Sequence, residues 1–191
     1  MEVVSTSARV FRQASDRLSL GQLAGLIVLD GLLTGLLALV IAQEPLSKPL
    51  LLATAITVPL LTLTLLWAGV TVWVYAVTHP FSDTGSLRET FKSTGYGLLP
   101  SLVSSLLALA SVAAVGLTSE EPLTPALAQE SALFVAAQAA GLSLVVFQWG
   151  LWTLGARYAR NVSWRVAVVA GGAPAVVVFS LELSQMLTGS A

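Results

Sequence analysis

One carboxylate stands in the middle of a long apolar run. Asp30 lies within Ser19–Ala42, and Thr34 follows it by one helical turn. At mid-bilayer an aspartate costs about 2.5–3.5 kcal/mol on insertion scales, so it must face protein or water rather than lipid. No Lys or Arg lies in any other apolar run to pair with it. Two chemistries are open to such a group. It can be a structural polar group, protonated or held by hydroxyls, amides or water, or it can bind a cation or carry a proton. The first is the expectation here. A second carboxylate, Glu182, sits in the outer third of the last apolar run, with Gln185 one turn further on. Gln138 lies at similar depth in the fourth run, so a Glu182–Gln138 hydrogen bond is expected. Asp30, Thr34, Gln138 and Glu182 are the candidate intramembrane polar site.

Other chemistry is short of residues. There is no Cys and a single His, His79, which leaves no thiolate or His-rich metal site. No Ser/His/Asp set, HExxH or Gly-rich phosphate loop is present. No catalysis, cofactor, metal or nucleic-acid partner is expected. The Gly171-Gly172-Ala173-Pro174 break in the last apolar run has no counterpart elsewhere, so it reads as a packing kink rather than a transport site.

The elements that position these groups follow from composition. The 191 residues are 55% hydrophobic and 10% charged, with mean hydropathy +0.85. That is far less charge than a soluble domain carries. Five stretches approach or exceed the roughly 20 apolar residues that a spanning helix needs: Ser19–Ala42, Leu50–Val77, Gly95–Leu117, Ala132–Leu154 and Val166–Leu187. The fold expected is an all-α bundle of five transmembrane helices, residues 19–188. Residues 1–18 precede it as a cytoplasmic tail, amphipathic or merely orienting. Pro59 should kink or tilt the second helix.

Charge sets the orientation. Arg9, Arg12 and Arg17 lie in the tail, Arg88 and Lys92 in the second loop, and Arg157, Arg160 and Arg165 in the fourth. Only Lys48 falls on the other side, so eight of nine basic residues share one side. The positive-inside rule makes that side cytoplasmic and puts the C-terminus outside, in a multi-pass protein of the cell membrane. The third loop, with Glu120, Glu121 and Glu130, is then external. Trp73, Trp152 and Trp164 read as an inner interfacial belt. Asn161-Val162-Ser163 fits a glycosylation pattern but falls on the inner side, so it is discounted.

Lipid offers helices no hydrophobic reason to associate, so small residues mark close approach. Gly21, Gly25, Gly31 and Gly35 fall within about 120° of one helix wheel, opposite Asp30. The first helix should therefore be central. Gly97, Ser101, Ser104, Ala108 and Ser111 form a stripe on the third, and Gln138, Gly141, Val145, Gln148, Trp152 and Gly155 one on the fourth. Packing within one chain is the main reading, and a homo-oligomer or another membrane protein the alternative.

The segment from Ser86 to Pro100, Ser-Leu-Arg-Glu-Thr-Phe-Lys-Ser-Thr-Gly-Tyr-Gly-Leu-Leu-Pro, leads into a Ser/Leu/Ala-rich helix. It resembles the Yip1 family of five-span membrane proteins. Gly85, Tyr96, Gly97 and Pro100 fit the pattern of that family, in which a glycine-containing loop and a short helix enter the third span. The loop reads Ser82-Asp83-Thr84-Gly85 where a Gly-Gly pair is common, and the short tail lacks the long extension of eukaryotic members. Rab binding is therefore not carried over. Scarce Lys and frequent Arg, Thr and Val suggest a prokaryotic, archaeal member. The resemblance implies a non-enzymatic scaffold or adaptor acting through helix packing, oligomerisation or lipid interaction; the alternative is a small transporter or channel with Asp30 lining a polar path. From the residues themselves, Leu87 and Phe91 share a face, so Ser86–Lys92 is expected along the inner surface, with Tyr96 at headgroup level.

Overall fold

The computed structural model describes residues 17, 19–42, 48–82, 84–119, 124, 127 and 130–189. The expected amphipathic tail falls outside the described residues. Six α-helices are described: α1 Leu20–Ala42, α2 Pro49–Thr78, α3 Leu87–Thr94, α4 Leu98–Thr118, α5 Ala132–Ala159 and α6 Trp164–Gly189. Five segments are long and apolar enough to cross a membrane, the third being α3 and α4 together, Leu87–Thr118. The protein is an all-α membrane bundle. Its outer surface carries Leu61, Leu65, Val72, Phe147, Val169 and Val176, side chains that need a lipid solvent.

Packing is thickest at the end where α2 and α5 finish and α4 and α6 begin. Of the described basic residues only Lys48 lies elsewhere, so we refer to this as the basic end. The largest buried cluster gathers Val70 and Val74 of α2, Val145, Trp152 and Ala156 of α5, and Ala167 and Ala170 of α6 around Val162. A second joins Leu23 and Ile27 of α1 to Trp67 and Leu98. In the far half the buried cluster is smaller, Val112 with Phe134, and Leu39 and Val115 are buried nearby in the same half.

The expectation that α1 is central does not hold. α5 touches α2, α3, α4 and α6, whereas α1 packs chiefly on α2 and α4. The wheel explains why. From Leu23 to Gly35 the inward side of α1 runs from Asp30 through Leu23, half-buried Thr34 and Ile27 to Gly31 and Gly35, about 140° of arc. Gly21 and Gly25 are centred about 80° away from the Gly31/Gly35 pair, so one pair alone can meet α2. Gly31 lies under Leu60, where an added Cβ would stand 2.6 Å from Leu60 Cδ2. Gly35 lies against the Ala55 carbonyl. Gly21 and Gly25 are exposed, and nothing lies within 4 Å of a Cβ built on Gly25. They are not part of the packing seam.

The Ser86–Pro100 segment differs from expectation as well. Ser86 and Glu89 form a reciprocal capping box that starts α3. A 3₁₀ turn at Gly95–Gly97 then joins α3 to α4. Pro100 accounts for that turn: it has no N–H to bond the Tyr96 carbonyl, and its ring crowds that group. The polar face of α3 points inward, with Thr90, Ser93 and Thr94 fully buried, while Leu87 is 45% exposed. α3 is thus wedged against α2 and α5 rather than laid on the surface, because its Thr and Ser hydroxyls bond its own carbonyls and can be buried without cost. Thr90 donates to Ser86 O (3.1 Å), Ser93 to Thr90 O (3.0 Å) and Thr94 to Thr90 O (2.9 Å).

Candidate functional site: two buried charges

Among the described residues two charged side chains lie almost wholly inside the bundle. Asp30 retains 1% of its exposure and Arg160 2%.

Asp30 is held from α4. Ser101 donates to Oδ2 at 2.6 Å and Ser105 to Oδ1 at 2.5 Å, so both carboxyl oxygens accept a hydroxyl. Thr34 Oγ1 lies 3.3 Å from Ser105 Oγ. With the Ser105 proton engaged by Asp30, Thr34 is the donor there. The site therefore brings together two of the four predicted polar residues, Asp30 and Thr34, with Ser101 of the predicted stripe. Ser105 was missed. It stands one turn from Ser101 and so on the same face, which is the signal that could have found it.

Ser104 points elsewhere. A methyl group at Gly141 of α5 would lie 2.8 Å from Ser104 Oγ and 3.9 Å from Glu182 Oε2. Glu182 thus approaches the α4–α5 seam, half-buried. Gln138 is half-buried on α5, and among the described residues no hydrogen bond joins it to Glu182. The side chain of Gln185 lies outside the described residues.

Arg160 closes the basic end. It follows α5, and among the described residues its guanidinium is received by backbone carbonyls. Nη1 donates to the Gly85 carbonyl and Nη2 to the Ser82 carbonyl at 3.1 Å. Its Cζ sits 4.5 Å from the Tyr75 ring centroid, a cation–π contact. Ser82 Oγ donates back to the Arg160 carbonyl. Nε is buried with no hydrogen-bond partner. Gly85 is required at this clasp: its φ is +80°, and a side chain there would strike the Ala159 carbonyl.

The other motif residues line the same end. A Cβ at Gly97 would collide with the Trp152 indole, which donates to Thr94 O at 3.2 Å. Trp152, expected in the interfacial belt, is instead 3% exposed, because the glycine leaves it room and the Thr94 carbonyl satisfies its N–H. Trp73 and Trp164 are 45% and 42% exposed. Trp67 donates to Phe91 O at 3.1 Å and meets the Phe91 ring at a 45° tilt, with centroids 4.0 Å apart. Thr71 and Thr94 hydroxyls meet at 2.7 Å, tying α2 to α3. Tyr96 is half-buried in the 3₁₀ turn and Pro100 is buried.

The architecture defines a multi-pass membrane protein whose polar chemistry is internal. A model of the Yip1 domain matches residues 1–183, and the chain belongs to the Yip1 family. No curated protein and no solved structure matches it.

Proposed function

We propose that the protein is a non-enzymatic scaffold or adaptor of the lipid bilayer, with the basic end and N-terminus in the cytoplasm and the C-terminus outside. The observation that carries this reading is the enclosure of Asp30. A carboxylate that lined an ion path would need access to water, whereas this one keeps 1% exposure and has both oxygens occupied by hydroxyls. Gly31, Gly35, Ser101 and Ser104 then serve close packing, and Gly85, Tyr96, Gly97 and Pro100 shape the basic end. Partners would be lipid, a second copy or other membrane proteins. Liposome flux measured for the wild type and Asp30→Asn tests it. Neither protein should carry protons or cations. A flux present in the wild type and lost in the variant would establish the transporter reading instead. Cysteine labelling around Gly85 and at the C-terminus tests the orientation, and a label reaching residue 191 from the cytoplasm would overturn it.

A further inference from the structure

The elbow between α5 and α6 carries cations that the fold does not use. Arg160 is consumed by the clasp, but Arg157 and Arg165 are not. The Arg157 guanidinium lies 6.0 Å from the Trp164 ring centroid and makes one long hydrogen bond, 3.4 Å, to Asn161 Oδ1. Tyr158 meets Trp164 edge-on, with centroids 6.4 Å apart, which fixes the indole from the other element. Arg165 is exposed beside it. Among the described residues the basic end offers one carboxylate, Glu89, and the capping box already engages it, with Ser86 N–H donating to it at 2.7 Å. One guanidinium thus lies near a half-exposed tryptophan where spanning helices end, a second arginine follows that tryptophan in sequence, and among the described residues no carboxylate pairs with either.

The geometry points to a binding site at this elbow for the phosphate headgroup of an anionic phospholipid. Arg157 and Arg165 supply the charge, and Trp164 sits at the depth of the glycerol backbone, where indoles favour the interface. Arginine suits the role because its planar fork binds phosphate oxygens in pairs. Charge complementarity and the placement of the elbow at the headgroup layer choose lipid over a soluble anion. The site falls within the lipid contacts of the scaffold reading but stands on this geometry alone, so the flux result leaves it untouched.

The purified full-length protein, titrated in detergent with phosphatidylglycerol or phosphatidylcholine and read by native mass spectrometry, tests the site. The wild type should retain phosphatidylglycerol in preference. Arg157→Gln and Arg165→Gln should each lower that preference about fivefold, the effect of one basic residue near an anionic surface. Arg88→Gln, an exposed arginine on α3, should leave it unchanged. Arg165 is exposed and without a structural bond, so its variant carries the test even where Arg157→Gln fails to fold. An equal loss in Arg88→Gln would mean diffuse surface charge and overturn the site. So would an unchanged preference in Arg165→Gln, or displacement of the lipid by inorganic phosphate.

Discussion

Asp30 and Arg160 are buried to the same degree and stabilised in opposite ways. The carboxyl group, deep in α1, is met by two hydroxyls from a single neighbouring helix. The cation, at the basic end, is met by two carbonyls of a loop and the face of Tyr75. Among the described residues neither is in an ion pair. The difference follows from what each region can offer. Inside a span the backbone is committed to its helix, so side chains alone can answer a charge. At a loop the carbonyls are free, and a guanidinium with five donors can gather several. A charge buried among side chains fixes the rotation of two helices, whereas one buried among carbonyls fixes the path of a loop.

The comparison can be broken at the loop first. Gly85→Val should have the largest effect, about 3 kcal/mol or more, since it combines a β-branched residue at positive φ with a backbone collision. The check is the thermal midpoint in detergent, and a wild-type value would mean that the clasp is dispensable. Arg160→Met should cost about 2 kcal/mol by orphaning the Ser82 and Gly85 carbonyls, partly offset by removing an unpaired buried charge. The effect should concentrate at the loop, read as faster hydrogen exchange or proteolysis at 82–85 with the rest protected.

Asp30 sharpens the other side. Asp30→Leu should cost about 1–3 kcal/mol by leaving Ser101 and Ser105 without their acceptor, whereas Asp30→Asn should cost less because its carbonyl still accepts one hydroxyl. A double-mutant cycle of Asp30→Asn with Ser105→Ala should show coupling, and additivity would show that the hydroxyls act independently of the carboxyl. The smallest effect separates the two glycine pairs. Gly31→Leu should destabilise by about 1–3 kcal/mol through overpacking on Leu60, while Gly25→Leu should stay within about 0.5 kcal/mol because it faces outward. A monomer–oligomer shift in Gly25→Leu alone would move that pair from lipid to a partner.

Hydropathy made the spans legible. Ala132 opens the fourth helix as expected, and α1 runs Leu20–Ala42 against an expected Ser19–Ala42. α5 extends five residues beyond Leu154, since Gly155–Ala159 are too polar on average to read as membrane yet continue the helix toward Arg160. The pairing of Asp30 with serines was partly legible, because α4 carries hydroxyls at helical spacing. The Arg160 clasp was not, because its acceptors are carbonyls, which every residue possesses, and its glycine is one among fifteen. The inward face of α3 was misread for a related reason. The pattern turns Leu87 and Phe91 toward the membrane surface and the polar face to water, but threonines that bond their own helix can face inward instead.

The partners of Asp30 also set a schedule for the growing chain. Ser101 follows Asp30 by 71 residues and Ser105 by 75. At a synthesis rate of about 5–20 residues per second, roughly 4–14 s pass between the addition of Asp30 and that of Ser101. Throughout that interval the first helix holds a carboxyl whose final ligands are still untranslated. Until the Ser101–Ser105 helix arrives, other hydrogen-bonding groups must serve that carboxyl.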